Sequence, residues 1–230
     1  MITLEHVTER IKAARECLSD VRADLLNVSS MTDEEKENVY FKLIEADTNL
    51  ADLYSVWRTN IWEIPALMNE FLEYARILSS NEATLSVLCN LTIKMSFRIS
   101  DHPRLELKFN EFELELRERT NYKGNVLTGT SEELRDKIDI YKKNIEFADR
   151  GDFDKIIVLQ RNTQDPFEWT EQWENIIDDV DKKTLEAFTG LNNFMGFCHA
   201  FWNERQRVLR EYYNIDWKTP AEMNSNVCFD

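Results

Sequence analysis

Few residues in this sequence have the type and spacing that catalysis or metal binding requires. The three histidines, His6, His102 and His199, are far apart along the chain and form no HxxxH or HExxH pair. The four cysteines form no CxxC pair. No GxSxG, P-loop or GxGxxG motif is present. We therefore expect no metal site and no cofactor, and a protein that is not an enzyme.

One fragment is nevertheless enzyme-like. Asp101 is followed by the tripeptide Glu106-Leu107-Lys108, which resembles the D…ExK arrangement of the restriction-type nuclease superfamily. In that superfamily the carboxylates and the lysine stand on adjacent strands and hold a divalent metal at the scissile phosphate. On a strand, Glu106 and Lys108 would share one face. The resemblance implies a metal-dependent nuclease-like enzyme as an alternative, while the same charges also suit the solvated face of a strand.

The acidic and aromatic stretch "DPFEWTEQWENIIDDVD" is a second candidate for function. Its aromatic residues are Phe167, Trp169 and Trp173. If exposed, they would form binding hot spots, because aromatic side chains dominate interface energies. If buried, they would form the apolar face of a helix with an acidic outer face. Asp178, Asp179 and Asp181 lack the spacing and glycine of an EF-hand, so we predict a solvated acidic turn there.

The charge balance restricts the partners. The 230 residues include 43 acidic and 28 basic side chains, which gives a formal net charge of −15. This charge opposes nonspecific attraction to nucleic acids and anionic membranes, so we predict no direct nucleic-acid binding and no membrane association. It suits a cationic partner, or it simply keeps the protein soluble, which is the commoner reason for such a charge. It also permits an alternative function, an inhibitor whose carboxylates imitate nucleic-acid phosphates and occupy a DNA- or RNA-binding protein.

The expected compartment is the cytoplasm. The cysteines are widely spaced, and three of the four occupy apolar periodic positions, as the reduced thiols of a cytosolic protein do. The first residues, "MITLEHVTERIKAAR", lack the apolar run of a signal peptide. No uncharged apolar span of the sequence is long enough to cross a membrane.

Helical periodicity dominates the first 80 residues. In the range 4–25 the apolar residues recur at alternating steps of three and four, which is a heptad seam. A second seam follows Thr32, which forms a capping box with Glu35, and Pro65 suits the first turn of a third helix. We predict an antiparallel helical pair within the chain, although the 4–25 seam could alternatively form a homo-oligomeric coiled coil.

The stretch from Thr84 to Glu118 has a different period. Every second residue from Leu85 to Ile99 is apolar, which is typical of a strand with one buried face. The alternation resumes at Leu105 and then changes parity, which predicts a β-bulge near 110–111. We therefore predict one long antiparallel β-hairpin over 84–118. Helices should cover its apolar face, because a lone hairpin is barely stable in water.

The hairpin implies specific pairs and burials. The expected cross-strand pairs are Ile99 with Leu105, Arg98 with Glu106, and Lys94 with Glu111. The residues expected to be buried are Leu91, Ile93, Met95, Leu107, Phe109 and Leu114. Those expected to be exposed are Lys94, Arg98, Glu106 and Glu113.

The remaining residues are predicted to be helical again. Thr130 and Glu133 form another capping box, and one long helix with apolar residues on two faces is expected from about Thr184 to Tyr213. The segment 152–161 is compatible with a strand or a short helix, and we favour the helix. The tail 216–230 could dock on a partner or back on the chain.

Together these patterns predict a mainly helical α+β fold, a bundle of about six helices packed on the hairpin. The predicted single domain spans 1–230, with parts at 1–80, 84–118, 130–215 and 216–230. The expected function is that of a non-enzymatic protein-interaction or regulatory protein, which acts through an acidic and aromatic surface.

Overall fold

The computed structural model describes residues 3–122, 124, 128–158, 163–190 and 194–229. Within these ranges the chain forms nine α-helices. Their bounds are α1 (Leu4–Leu25), α2 (Asp33–Trp57), α3 (Ile64–Leu78), α4 (Leu85–Ser96), α5 (Pro103–Thr120), α6 (Ser131–Arg150), α7 (Glu171–Glu186), α8 (Phe197–Tyr213) and α9 (Pro220–Met223). Short 3₁₀ turns are found at Val28–Ser30, Ile61–Glu63, Glu82–Thr84, Phe153–Lys155 and Pro166–Trp169.

The predicted β-hairpin is wrong. The described residues contain no strand, and the stretch 84–118 is instead the helix pair α4 and α5, which pack against each other. The bulge expected near 110–111 falls inside α5. The fold is therefore all-helical rather than α+β over the part of the chain that the structure describes.

The alternating pattern of α4 results from polar residues on its buried face. The buried positions are Leu85, Leu88, Cys89, Thr92, Ile93, Met95 and Ser96, which follow a helical period. The Thr92 hydroxyl donates to the carbonyl oxygen of Leu88, and the Ser96 hydroxyl donates to that of Ile93, both at 2.8 Å. Because each hydroxyl is satisfied within the helix, it can be buried without a large penalty.

In α5 the apolar residues change from odd to even positions because they follow the period of a helix. The buried apolar residues Leu105, Phe109, Phe112 and Leu116 are separated by four, three and four positions. A polar stripe is buried beside them, and its members are Glu106, Asn110, Glu113 and Arg117. A helix that buries both stripes has no simple apolar periodicity, so its sequence pattern is ambiguous.

Partners from α6 and from the connection before it neutralise the polar stripe of α5. Lys137 Nζ donates to Glu106 Oε1 at 2.7 Å. Arg117 forms an ion pair with Glu113 and donates to the carbonyl oxygens of Gly129 at 3.0 Å and Thr128 at 2.9 Å. Burial of these charges is tolerated because each has an opposite charge or a dipole beside it.

The expected cross-strand pairs are wrong as well. Lys94 and Arg98 both form ion pairs with Asp52 of α2. Glu111 pairs with Lys142 of α6, at 2.8 Å. These charges therefore join α4 to α2, and α5 to α6, rather than one strand to another.

The burial predictions are partly confirmed. Ile93, Met95 and Phe109 are buried, and Lys94 is exposed. The intermediate residues are Leu91, Arg98, Leu107 and Leu114. Glu106 and Glu113, which we expected to be exposed, are buried in the polar stripe. The errors follow from assuming a strand, because a strand places every second residue on one face, whereas a helix repeats about every 3.6 residues.

The heptad seam of α1 is buried within the chain. Val7, Ala14, Leu18 and Val21 are its buried members. Arg15 Nε donates to Tyr54 Oη at 2.6 Å, while Arg22 lies 3.9 Å from Asp47. The later residue of α1 thus contacts the earlier residue of α2. The two helices are therefore antiparallel, as the two seams predict. Most of the seam considered for a homo-oligomeric coiled coil is therefore covered within the chain, and Leu4 at its start is 50% exposed.

The capping predictions are confirmed. Thr32 and Thr130 each form a capping box with the glutamate three residues later, and Pro65 lies in the first turn of α3. In the ambiguous segment 152–161, residues 153–155 form a 3₁₀ turn and 156–158 have no regular structure. Residues 159–161 lie outside the described residues.

The single long helix predicted from Thr184 to Tyr213 is wrong. α7 ends at Glu186 and α8 begins at Phe197. Between them Gly190 has φ of 103° and Gly196 has φ of 77°, in the region that side chains with a Cβ rarely adopt. The chain therefore turns here, and α8 packs back on α7.

The C-terminal tail docks back on the chain. Trp217 is 1% exposed. The Asn224 side chain accepts a hydrogen bond from the Thr163 amide at 2.6 Å and donates one to the Thr163 carbonyl oxygen at 2.8 Å. Phe229 packs edge-on against Trp202 of α8, with 5.1 Å between the ring centroids.

Two aspartate substitutions distinguish helix α4 from the strand that the alternation favours. Val87 and Ile93 would share one face of a strand, but here Val87 is 44% exposed and Ile93 is 9% exposed. We expect Ile93→Asp to lower the free energy of unfolding by about 3 kcal/mol or more, because it buries an unpaired charge. The control Val87→Asp should lower it by less than about 1 kcal/mol. Urea denaturation measures both, and equal losses would contradict the helix.

Candidate functional site

A cleft of about 170 Å³ lies between the α2–α3 region, the α4–α5 connection and α7. Its lining residues are Ser55, Ile61, Ile64, Pro65, Phe97, Arg98, Ser100, Asp101, His102 and Asp181. Phe97 is 65% exposed and marks the mouth, whereas His102 and Asp181 are buried and mark the floor. The cleft therefore combines an apolar mouth with a charged floor.

The α4–α5 connection places Asp101 and His102 in the cleft. Pro103 occupies the first turn of α5, and a residue before proline avoids helical geometry, so the helix cannot extend back over these two residues. The Trp173 indole Nε1 of α7 donates to the Asp101 carbonyl oxygen at 2.8 Å. The connection is thus fixed to α7 through its backbone.

Arg205 of α8 connects the carboxylates of the floor. It is 2% exposed, and its guanidinium donates to Asp101 Oδ2 at 2.8 Å and to Asp181 Oδ2 at 2.9 Å. Three aromatic rings surround the guanidinium, with centroids at 4.6 Å for Phe201, 5.7 Å for Trp217 and 6.0 Å for Trp173. The buried cation is therefore held by both carboxylates and aromatic faces.

The carboxyl groups around Arg205 differ in their affinity for protons. Burial raises the pKa of Asp181 to about 7, although Arg205 opposes this. Burial also raises the pKa of Glu168 to about 8, and the charge of Asp101 adds to the effect. For Asp101 itself, burial acts in the same direction, but the Arg205 guanidinium outweighs it and holds the pKa below its usual range. Asp101 is thus the ionised partner of Arg205 at neutral pH.

His102 lies between two further carboxylates of α7. Its Nδ1 is 3.6 Å from Glu174 Oε1, and its Nε2 is 3.6 Å from Asp178 Oδ1. These distances suit an ion pair but exceed those of direct hydrogen bonds. Burial lowers the pKa of His102, yet Glu174 and Asp178 together raise it above its ordinary value. The floor therefore combines the buried Arg205 guanidinium with a histidine whose neighbouring carboxylates favour its protonated form.

The aromatic residues proposed as binding hot spots are mainly core residues. Trp169 is 2% exposed and Trp173 is 0% exposed, while Phe167 is intermediate. Trp173 stacks on Trp217 with 5.9 Å between centroids, and Trp169 packs edge-on against Tyr141 at 4.8 Å. Their apolar face is thus buried within the chain, and neither tryptophan is available to a partner in this structure.

The structure does not bring the D…ExK residues together. Asp101 bonds to Arg205 in the cleft, Glu106 bonds to Lys137 of α6, and Lys108 is exposed. On a helix, side chains two positions apart diverge by about 200° around the axis. The adjacent strands that this metal chemistry uses do not occur in the described residues.

The part of the chain that the structure describes contains no alternative metal centre. Across residues 3–122, 124, 128–158, 163–190 and 194–229, no three His, Cys, Asp or Glu side chains are grouped so that they could hold an ion. His199 Nε2 is instead 3.1 Å from the Phe229 carbonyl oxygen. The prediction of a solvated turn at Asp178, Asp179 and Asp181 is wrong, because all three lie within α7 and Asp181 is only 4% exposed.

Arg205, Glu168 and Trp217 belong to the site but were not predicted from the sequence. A signal existed for Arg205, because it follows Phe201 by four positions and precedes Leu209 by four, on the apolar face of its helix. A charged residue in such a position requires a buried partner. Nothing in the local sequence indicates which carboxylates supply it.

Known proteins give no further indication of the function. Comparisons found no matching family model, no matching curated protein and no matching solved structure. Among the described helices, none combines the length and the apolar character that crossing a bilayer requires.

Replacing Arg205 tests how strongly the charged floor supports the fold. Arg205→Ala leaves Asp101 and Asp181 without their shared cation, so we expect the free energy of unfolding to fall by about 3–5 kcal/mol. Arg205→Lys keeps the charge but loses the planar contacts, and should give a smaller loss. The control Arg207→Ala, on the same helix, removes exposed ion pairs with Glu204 and Glu211 and should have little effect. Urea denaturation measures each loss, and a similar loss for both alanine variants would contradict a stabilising role for the buried guanidinium.

The buried carboxyl of Glu168 should make stability depend on pH. Its pKa is 4.5 in an unperturbed carboxyl and about 8 in the folded protein. Above about pH 4.5 the unfolded chain releases this proton, whereas the folded protein keeps it up to about pH 8. The free energy of unfolding is therefore highest below about pH 4.5 and falls as the pH rises towards about 8. We expect the free energy of unfolding to be lower at about pH 8.5 than at about pH 5.5, by at least about 1 kcal/mol.

Glu168→Gln keeps the acceptor for Trp217 Nε1 and removes this titration, so the pH dependence should become weaker. It should not vanish, since burial also raises the pKa of Asp47 to about 8. Glu171→Gln, at an exposed position, is the control and should leave the dependence unchanged. Urea titrations at both pH values measure the difference in the free energy of unfolding. If Glu168→Gln leaves that difference unchanged, Glu168 is not the group that causes the pH dependence.

Proposed function

We propose that this protein is a non-enzymatic interaction protein and that the cleft is its recognition site for a basic segment of a partner protein. The observation that carries the proposal is the combination of a charged, buried floor with Phe97 exposed at the mouth. A partner that inserts a cation would meet the carboxylates, and its apolar groups would meet Phe97.

The floor is suited to recognition because its side chains are already positioned. Asp101 and Asp181 are held by Arg205, and His102 is held between Glu174 and Asp178. Groups fixed before association lose little conformational entropy when a partner binds. A general base would instead need a proton acceptor that is free to react, whereas these carboxylates are engaged in ion pairs.

The mouth of the cleft supplies an anchor of the kind that interfaces use. An aromatic residue in or beside a pocket contributes more than its share of binding energy. Phe97 follows directly on the last residue of α4, and nearly two thirds of its surface is accessible. The net charge of −15 would in addition accelerate the encounter with a cationic partner.

The imitation of a nucleic acid is less well supported. Such an inhibitor needs an unbroken row of negative charge, but many exposed carboxylates here alternate with cations. Examples are Glu146 with Arg150 and Arg207 with both Glu204 and Glu211. The free thiols of the described cysteines, two of them exposed, are in keeping with the cytoplasmic localisation that we propose.

Substitution of Phe97 tests the proposed function. We expect the tagged protein to capture a basic partner from an extract of its native host, and Phe97→Ala to weaken binding of that purified partner by about tenfold, as loss of a hot spot does. Phe153→Ala is the matched control, because Phe153 is 43% exposed and does not line the cleft. Calorimetric titration measures both affinities.

Three results would contradict the proposal. They are the absence of any specific partner, a captured partner that is not basic, and equal affinities for the two phenylalanine variants. Circular dichroism of each variant would establish that the helices are retained, as expected for exposed positions.

A further inference from the structure

We propose that Asp47 of α2 and Glu70 of α3 share one proton, and that this carboxyl pair is a pH-sensitive latch for the C-terminal half of α1. Neither residue belongs to the lining of the cleft, so the inference does not depend on the proposed function. It rests on a buried carboxyl group, on the arginine that faces it, and on the helix to which that arginine belongs.

Asp47 is buried without a hydrogen-bond donor. Its side chain is 0% exposed, and neither carboxylate oxygen accepts a hydrogen bond from a group that the structure describes. The cation that faces it is Arg22 of α1, whose Nη2 lies 3.9 Å from Asp47 Oδ1. This distance suits an ion pair but exceeds that of a hydrogen bond. An ionised carboxylate would therefore be costly at this position.

The hydrogen bonds of the Arg22 guanidinium go to Glu70 instead. Arg22 Nε lies 3.2 Å from Glu70 Oε1 and 3.1 Å from Oε2, and Nη2 also donates to Oε2. Because the same Nη2 faces Asp47, the two carboxyl groups are neighbours. The Glu70 carboxylate already balances the single charge of the guanidinium. A proton on the carboxyl pair removes the second negative charge and supplies the missing donor.

The surroundings of Asp47 favour this proton. Burial is the main cause that raises the pKa of Asp47 to about 8, and the charge and hydrogen bond of Glu70 act in the same direction, whereas Arg22 opposes them. The other titratable groups at this interface are Tyr74 of α3, whose pKa is raised by burial, and Tyr40, which packs on Tyr74 with 5.1 Å between the ring centroids. Phenols in general ionise only near about pH 10, so the carboxyl pair is the group that changes charge near neutral pH.

The proton is coupled to α1 through Arg22, which lies in the last turn of that helix. With the proton bound, Arg22 joins α1 to Glu70, and the adjacent Leu18 and Val21 are buried. Without it, two neighbouring carboxylates compete for one guanidinium, and movement of α1 lets water reach Asp47. The Glu70 side chain is 20% exposed and gives the proton a route to solvent.

The direction of the pH effect follows from the two pKa values of Asp47. The pKa is 3.8 for an unperturbed carboxyl and about 8 in the docked structure. The contribution of Asp47 to docking is therefore complete below about pH 3.8 and is lost as the pH rises towards about 8, by up to about tenfold per pH unit. The latch is closed at acidic pH and loosens at mildly alkaline pH.

Hydrogen exchange of the whole protein, measured by mass spectrometry at about pH 6 and about pH 8.5, tests the latch. We expect the protection factors of amides in residues 14–25 to fall at least about tenfold between these two pH values. Protection factors are compared because they correct for the faster chemical exchange at alkaline pH. An unchanged protection factor in α1 would overturn the proposal.

Two substitutions assign the effect to the shared proton. Asp47→Asn keeps the shape of the side chain and offers an N–H donor to Glu70 without titrating, so the fall in α1 should disappear. Glu70→Gln removes the charge that favours the proton on Asp47, so the fall should become smaller. The control Glu45→Gln changes an exposed carboxylate of α2 and should behave as the unmodified protein. A fall as large as that of the unmodified protein in either test variant, or its loss in the control, would overturn the shared proton.

Helix α6 distinguishes a local latch from unfolding of the whole chain. The part of the fall that Asp47→Asn removes should be larger for amides of α1 than for amides of α6. If that part is equal in both helices, Asp47 acts only on global unfolding and the latch is refuted. Circular dichroism of each variant checks that the helices are retained.

Discussion

The C-terminal half of the structure depends on the ion pairs that the buried Arg205 guanidinium forms with two carboxylates. The guanidinium joins the α4–α5 connection, through Asp101, to α7, through Asp181, although more than 100 residues separate Arg205 from Asp101 in the sequence. Desolvation of a cation is expensive, so its position is tolerated only where carboxylates and aromatic faces surround it together. The two carboxylates and the rings of Phe201, Trp173 and Trp217 therefore depend on one another, because all of them contact the same guanidinium. The same contacts that hold the helices also shape the floor of the cleft.

Local chemistry made some of the fold predictable from the sequence. The capping boxes at Thr32 and Thr130 depend only on residues three positions apart, and both are present. The α4–α5 pair was not predictable by the same means, because its period is disguised by buried polar residues. Thr92 and Ser96 satisfy their hydroxyls inside α4, and Glu106 in the polar stripe of α5 is neutralised by Lys137, which is distant in the sequence. An apolar pattern alone cannot reveal a polar residue that is buried with its partner.

The candidate site was predictable only in fragments. The sequence suggested that Asp101 acts with Glu106 and Lys108 in a D…ExK pattern. In the structure its partner is Arg205 instead. Trp169 and Trp173 stand out by composition, but their burial is decided by Tyr141 and Trp217, which belong to other segments. A site assembled from separate helices leaves traces in each segment, such as a charge on an apolar face. The pairing of those traces depends on tertiary packing.

The docked tail has a consequence for the order in which the chain can fold during synthesis. Glu168 accepts a hydrogen bond from Trp217, Asp165 accepts one from the Lys218 amide, and Thr163 bonds twice to Asn224. Helices α1 to α6 lie upstream of all these partners and can pack as they emerge from the ribosome, since folding proceeds from the N-terminus. The segment around residues 163–168 must wait, because its bonding groups are translated about 50 residues later. Until then its carboxylates remain exposed to water, so we expect a nascent chain in which packed N-terminal helices are followed by an open, acidic extension.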